Sequence, residues 1–210
     1  MKLHYFSGYG RGEAIRMALS HAKAPYENVF YSFGEDFAKL KASGNLEFGQ
    51  VPVVEIDGKF YSQSVSILRF VGMKYGYYTT DNPEVSWAID STIDSLTDIM
   101  NAFYKAAFAD EAAKADLFKT YFGTTLPQWL TATSKRLHAN SSKNFIVGDK
   151  ITIADFAIAG FIYSIYLNDL SQAKDAVAGV MAEFPELDAY FKGLAEPLKE
   201  YLETRPKNPW

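Results

Sequence analysis

The chain has 210 residues, 48% hydrophobic and 16% aromatic, enough apolar material for one large domain or two small ones. Its net charge of -4 argues against nucleic acid as a partner, and the absence of cysteine removes disulfides, thiolate metal sites, CxxC redox chemistry and a cysteine nucleophile. Met1-Lys2-Leu3-His4-Tyr5 lacks the apolar run of a signal peptide, and Ile153 to Leu167, the most apolar stretch, falls short of a membrane span, so a cytoplasmic protein is expected.

Leu3 to Phe6 reads as a short strand ending at Ser7-Gly8-Tyr9-Gly10. Glu13 to Ala22 follows as a helix, with Ala14, Ile15, Met17, Ala18 and Leu19 apolar. Glu27 to Tyr31 is a second strand and Glu35 to Lys41 a short helix. From Gly49 to Gly58 the chain reads as a strand and tight turn, and a further strand leads to a helix from Ser64 to about Tyr75. Pro52 cannot donate to a ladder, which leaves two readings. One is an ordinary hairpin with an edge proline. The other is a cis Val51-Pro52 bond that turns Val51 outward as a free edge for an extended peptide. In that case the unpaired N–H groups at Ser64 would attract a carboxylate. The order β-α-β-α-β-β-α suggests a small sheet with a βαβ half and a hairpin half.

Gly76 to Pro83 is rich in turn formers and reads as a linker. Only helices follow. A long amphipathic one from about Val85 carries Ile89, Ile93, Leu96, Met100 and Phe103 on one face. Asp90, Asp94 and Asp98 lie along another line at i, i+4 spacing, where like charges repel, so partners on a second surface are expected, Arg69 among them. A second helix is expected from Ala112 to His138 and a third from Thr152. The third is apolar almost all round and therefore central. Helices near Ala173 to Glu183 and Glu186 to Glu203 complete the set. Thr152 and Asp155 have the spacing of a capping box, and Asp155 reads as a structural cap rather than a catalytic acid because its neighbours are apolar.

Tyr5-Phe6, Gly10-Arg11-Gly12-Glu13, Ile15-Arg16, Gln50-Val51-Pro52, Gln63-Ser64, and Gly148-Asp149 with Thr152 and Asp155 occur in this order. Together they resemble the cytosolic glutathione S-transferases over the whole chain, most of all the tyrosine-type sigma class. The resemblance implies an α/β thioredoxin-like N-terminal domain (βαβαββα, four-stranded mixed sheet) over residues 1–77 that binds glutathione. It implies an all-α C-terminal helical domain over residues 83–210 that contributes the electrophile pocket. Glutathione would be a co-substrate, with no resident cofactor or metal and no membrane or nucleic-acid partner. The protein would be a homodimer.

By the same resemblance Tyr5 donates to the glutathione sulfur and Arg11 adds positive charge, with Ser7 as the alternative activator. Val51, fixed by Pro52, would meet the cysteinyl unit, Gln63 and Ser64 the γ-glutamyl carboxylate, and Lys41 and Gln50 the glycine end. Phe37 stands where many relatives have a tryptophan and offers only an apolar contact. Asp98 would reach the γ-glutamyl amine from the neighbouring subunit, or else remain on a solvated face. Phe6, Tyr9, Gly10, Met100 and Tyr104 would surround the electrophile. Phe48 would plug the subunit interface or pack within its own domain. The implied activity is conjugation of a thiolate to an apolar electrophile. A glutathione-dependent isomerase of the prostaglandin type and a non-catalytic ligand-binding or structural relative are the alternatives.

Overall fold

The computed structural model describes residues 1–210, and its first half alternates strand and helix as the sequence implies. The elements are β1 (Lys2–Phe6), α1 (Glu13–His21), β2 (Glu27–Tyr31), α2 (Glu35–Ala42), β3 (Val53–Ile56), β4 (Lys59–Ser62) and α3 (Ser64–Tyr75). They build a four-stranded mixed sheet in the order β2-β1-β3-β4. β1 and β2 are parallel, which requires a crossover, and α1 supplies it. β3 is antiparallel to β1 and to β4. The β3–β4 turn uses Asp57 and Gly58, both at positive φ (50° and 77°), the backbone pattern a two-residue hairpin requires. The Val51-Pro52 bond is cis, so the chain adopts the second of the two readings.

Helices alone make the second half. α4 (Pro83–Ala107) starts two residues ahead of the expected Val85. Asn82 accepts from the Glu84 and Val85 N–H groups at 3.1 and 3.2 Å, and Pro83 takes the first helical position, where its missing N–H costs nothing. The single helix expected over 112–138 is instead α5 (Glu111–Thr120), a π-helical turn (Tyr121–Thr125) and α6 (Leu126–Ala139). Pro127 is the physical reason: it has no N–H and its ring crowds the Gly123 carbonyl, so the ladder widens, with the Leu126 N–H reaching back to Tyr121 O. After α7 (Ile153–Ile165) and α8 (Lys174–Met181), the helix expected over 186–203 is likewise divided, into α9 (Pro185–Gly193) and α10 (Ala195–Thr204), with Pro197 in the first turn of the second piece.

Every residue of α7 is buried, so solvent cannot satisfy its first N–H groups. The Ile153 N–H donates to Tyr77 O at 3.1 Å, and Asp155 ties down the segment that leads into the helix. Its carboxylate accepts from the N–H groups of Thr152 (2.8 Å) and Ile146 (2.9 Å) and from the hydroxyls of Thr152 (3.0 Å) and Tyr190 (2.8 Å). Burial pushes its pKa up, and these hydrogen bonds oppose that shift. The Thr152 hydroxyl in turn accepts from the Ala154 N–H at 3.3 Å.

One continuous hydrophobic core runs through both halves, and a satellite of Leu40, Leu46 and Val53 lies apart from it, with Phe37 of α2 packed against it. The helices α1 and α7 touch along their backbones: a Cβ on Gly160 would lie 2.9 Å from the Ala14 nitrogen. This contact fixes the loop before α1 against the helical half. Arg69 departs from expectation. It does not await a second subunit but pairs with Asp90 of its own chain (2.9 and 3.1 Å), whose other oxygen accepts from the Tyr78 hydroxyl at 2.8 Å. Asp94 and Asp98 stay exposed. No helix is long and apolar enough to cross a membrane.

Candidate active site

β1, an inner strand of the sheet, carries Tyr5 near its C-terminal end, and the chain then turns through Gly10–Gly12, a single 3-10 turn, into α1. That turn aims the Arg11 N–H at the Tyr5 hydroxyl oxygen, 2.9 Å away. The oxygen is thereby engaged as an acceptor, and its own proton is free to be donated elsewhere. The two flanking glycines leave room for the ring. A Cβ on Gly10, whose φ is +41°, would lie 2.5 Å from the Tyr5 oxygen, and one on Gly12 would lie 2.8 Å from the ring. The Arg16 guanidinium sits 5.6 Å from the ring centroid. Burial pushes the Tyr5 phenol up, with the Arg11 N–H and the charges of Arg11 and Arg16 pulling it partly back. At neutral pH Tyr5 is therefore a protonated donor, not a phenolate.

Two clefts meet here, sharing Phe6 and Arg11. The first, of about 460 Å³, is lined by Phe37, Gln50, Val51, Pro52, Gln63 and Ser64, with Thr97 and Asn101 from α4 opposite. Gln63 holds φ 72° and ψ 114°, a strained conformation for a non-glycine residue, directly before α3. No side chain caps α3, so its first N–H groups remain open at this cleft. The buried Ser62 hydroxyl, in the same lining, has no partner in the chain. The second cleft, of about 250 Å³, is almost wholly apolar: Tyr5, Phe6, Tyr9 and Phe33 on one side, Phe103, Tyr104 and Phe108 on the other, closed by Trp210. Arg11 spans the junction, donating to Asn101 Oδ1 at 2.6 Å with its guanidinium 5.6 Å from the Tyr104 ring centroid. An extended polar ligand in the first cleft would place a reactive group near Tyr5, facing the apolar second cleft.

Two family models match the two halves of the chain. The glutathione S-transferase N-terminal domain matches residues 1–72, and the glutathione S-transferase C-terminal domain matches residues 97–205. Glutathione S-transferase A3 of Homo sapiens is 32% identical over 214 residues, covering 99% of this chain and 90% of that protein. The chain belongs to the glutathione S-transferase family. Among solved structures of similar fold are prostaglandin synthase D of Nilaparvata lugens (TM-score 0.83, 25% identity, 99% and 98% of the two chains) and the monomeric Na-GST-3 of the hookworm Necator americanus (TM-score 0.84, 28% identity, 100% and 98%).

For this glutathione S-transferase the structure brings together Tyr5, Arg11, Phe37, Gln50, Val51, Pro52, Gln63 and Ser64 around the first cleft and its junction, and Phe6, Tyr9, Gly10 and Tyr104 around the second. Lys41 lies at the rim, its stem against Gly49. Ser7 lines the second cleft but is exposed, and no backbone N–H orients its hydroxyl as Arg11 orients Tyr5. Met100 does not reach the second cleft. One turn before Tyr104, about 6 Å along the axis, it lines a separate gap of about 40 Å³ beside Ala14, Val65 and Phe161. Asp98 is also outside the clefts of this chain, exposed between Thr97 and Ile99. Phe48 is exposed at the rim of the first cleft. Sequence reasoning missed Ser62, Asn101, Phe33, Phe108 and Trp210. The run of Pro206 and Pro209 before an aromatic residue was the one available signal for the last of these.

Proposed function

We propose that this enzyme binds glutathione in the first cleft, holds its sulfur as thiolate through the Tyr5 hydroxyl, and joins it to an apolar electrophile in the second cleft. The observation that carries this reading is the Tyr5 phenol at the junction of the clefts, its oxygen held by the Arg11 N–H at 2.9 Å and its proton free. A thiol with an ordinary pKa of ~8.5 needs a shift of about two units, or ~2.7 kcal/mol, to be mostly thiolate at neutral pH. A hydrogen bond to an ion contributes ~1.5–3 kcal/mol, so one well-placed hydroxyl with Arg11 nearby is sufficient. The thiol proton leaves to solvent. A sulfur lone pair then forms the new C–S bond; in substitution the leaving group departs with its electron pair, and in addition to an activated alkene the C=C π bond breaks and the resulting enolate takes a proton from solvent.

In this reading residues 1–77 hold the tripeptide and residues 83–210 supply the far wall. The backbone of Val51 pairs with the cysteinyl unit, Gln63, Ser64 and the open start of α3 take the γ-glutamyl carboxylate, and Lys41 and Gln50 take the glycine end. Phe37 adds an apolar contact only. Asp98 acts across a two-fold homodimer in which Phe48 is the apolar plug, so its exposure in one chain is consistent with its role. The sigma-like assignment rests on the sequence motifs around Tyr5 and Gln63-Ser64, while the Nilaparvata lugens structure bears on the reaction. That neighbour, titled a prostaglandin synthase D, also supports a second reading, glutathione-dependent isomerisation of an endoperoxide by the same thiolate.

The deciding experiment measures conjugation of chlorodinitrobenzene with glutathione titrated in, beside isomerisation of a prostaglandin endoperoxide. Saturable conjugation supports the first reading. Endoperoxide turnover without conjugation supports the second, and inactivity on both with glutathione bound removes both.

A further inference from the structure

The segment 205–210 crosses the β1–α1 loop and is fastened to it. The Tyr9 N–H donates to Trp210 O at 2.8 Å, the Tyr9 hydroxyl donates to Pro206 O at 3.0 Å, and the Asn208 N–H donates to the Tyr9 oxygen at 3.1 Å. Asn168 Nδ2 donates to Asn208 O at 3.0 Å. Arg205 is the key to this strap. Its Nη1 donates to Glu13 at 2.6 Å, its Nη2 to Tyr163 O at 2.7 Å, and its guanidinium lies 4.0 Å from the Tyr9 ring centroid. Glu13 is fully buried, and its other oxygen accepts from Arg16 at 3.0 Å. Arg16 also donates to Gly8 O at 2.8 Å in the loop that follows Tyr5. One carboxylate with no access to water thus joins two guanidiniums, one holding the loop and one holding the strap. A buried charge must keep its partners, so neither segment can shift without uncovering it.

Beyond the strap, the Trp210 ring faces Phe33 (centroids 6.2 Å apart, planes 24° apart) and lies 6.3 Å from Phe108. Phe33 stacks in turn on Phe6 at 4.0 Å. Phe6, Phe33 and the indole thus form a continuous run of near-parallel rings along one side of the cleft, Phe108 lies tilted at 46° to the indole, and the indole makes the outer wall. We propose that Arg205 is a positioning residue: by pinning the strap to Glu13 it fixes Trp210 as the outer wall of the second cleft, and the cleft thereby selects flat aromatic electrophiles over small aliphatic ones. This deepens the reading of that cleft as the electrophile site and rests on it.

The test compares KM for chlorodinitrobenzene with KM for acrolein, alongside KM for glutathione, in Trp210→Ala, Arg205→Met, Arg205→Lys and the Trp210→Ala/Arg205→Met double variant. Trp210→Ala and Arg205→Met should each raise the ratio of the two electrophile constants about tenfold, the scale of one lost aromatic contact with its buried area, while KM for glutathione holds. The double variant should go no further than either single one. Arg205→Lys should fall between, because one ammonium cannot make both guanidinium bonds. An unchanged ratio in Arg205→Met would overturn the proposal, as would a rise in both electrophile constants and the glutathione constant together. Should Arg205→Met fail to fold, Arg205→Lys and Trp210→Ala decide by the same ratio. Binding of S-dinitrophenyl glutathione, measured by titration calorimetry, separates the two layers. If the wild type conjugates neither electrophile, the functional reading falls, yet a Kd that rises in Trp210→Ala and in Arg205→Lys, with the Kd for glutathione alone unchanged, still supports the strap's role, and a Kd equal in all variants refutes it.

Discussion

Tyr5→Phe removes one oxygen and little else. The ring keeps its place between Gly10, Gly12 and Arg16, so the loop and both clefts should keep their shape. Two effects follow from the lost atom. The Arg11 N–H loses its acceptor, and the sulfur loses a charge-assisted hydrogen bond of ~1.5–3 kcal/mol. Since one pKa unit is ~1.36 kcal/mol, the bound thiol should titrate ~1–2 units higher in the variant. The sign is definite: the hydroxyl favours the charged form, so its loss raises the pKa, and the rising limb of kcat/KM against pH moves to higher pH. Below that limb the rate should fall ~10- to 150-fold, while the Kd for glutathione changes little, because the hydroxyl faces neither end of the tripeptide. The assay is kcat/KM for chlorodinitrobenzene across the neutral and mildly alkaline range. A uniform drop at every pH with an unmoved limb would refute activation by Tyr5 and make Ser7 the lead.

Gly10→Ala should cost activity by the same route, because its Cβ would meet the Tyr5 oxygen at 2.5 Å and its backbone sits at φ +41°; a variant with wild-type rates at every pH would contradict the packing argument. Asp155→Ala strands the Ile146 and Thr152 N–H groups and the Tyr190 hydroxyl, so at ~2 kcal/mol for a lost buried cap Tm should fall by roughly 4–8 °C, read by calorimetry, with turnover of the folded fraction unaffected. A normal Tm with much reduced turnover would instead make Asp155 catalytic. Asp98→Asn should raise KM for glutathione about tenfold through loss of a charge-assisted contact from the partner subunit. Sedimentation that finds only a monomer at micromolar protein would refute the dimer, and an unchanged KM would remove Asp98 from the site.

The parts of this molecule that depend on local signals were readable in its sequence. The order of strands and helices in the first half follows from periodicity and turn residues, and Asp57-Gly58 marks the hairpin by its own backbone needs. The Thr152–Asp155 cap was visible because both partners lie within one turn, whereas the help from Tyr190, 35 residues on, was not. Pro127 and Pro197 fall inside continuous helical periodicity, which hid the π-turn and the break between α9 and α10. Charge pattern on α4 gave a row of aspartates but no way to tell an internal partner from an external one, and Arg69 settles on Asp90 of its own chain. Asn101, 90 residues from the Arg11 it meets, carries no mark that separates it from other polar positions on that helix. Trp210 reaches the second cleft only because Arg205 and Tyr9 bring the strap back across the loop, a purely tertiary event.

The central claim is that this site converts bound glutathione to thiolate, and the ultraviolet absorbance of the thiolate in the binary complex, followed against pH, tests it without any electrophile. The account predicts an apparent pKa about two units below the ordinary ~8.5 of a thiol, so that thiolate predominates at neutral pH. A bound thiol that titrates at its ordinary value would contradict it.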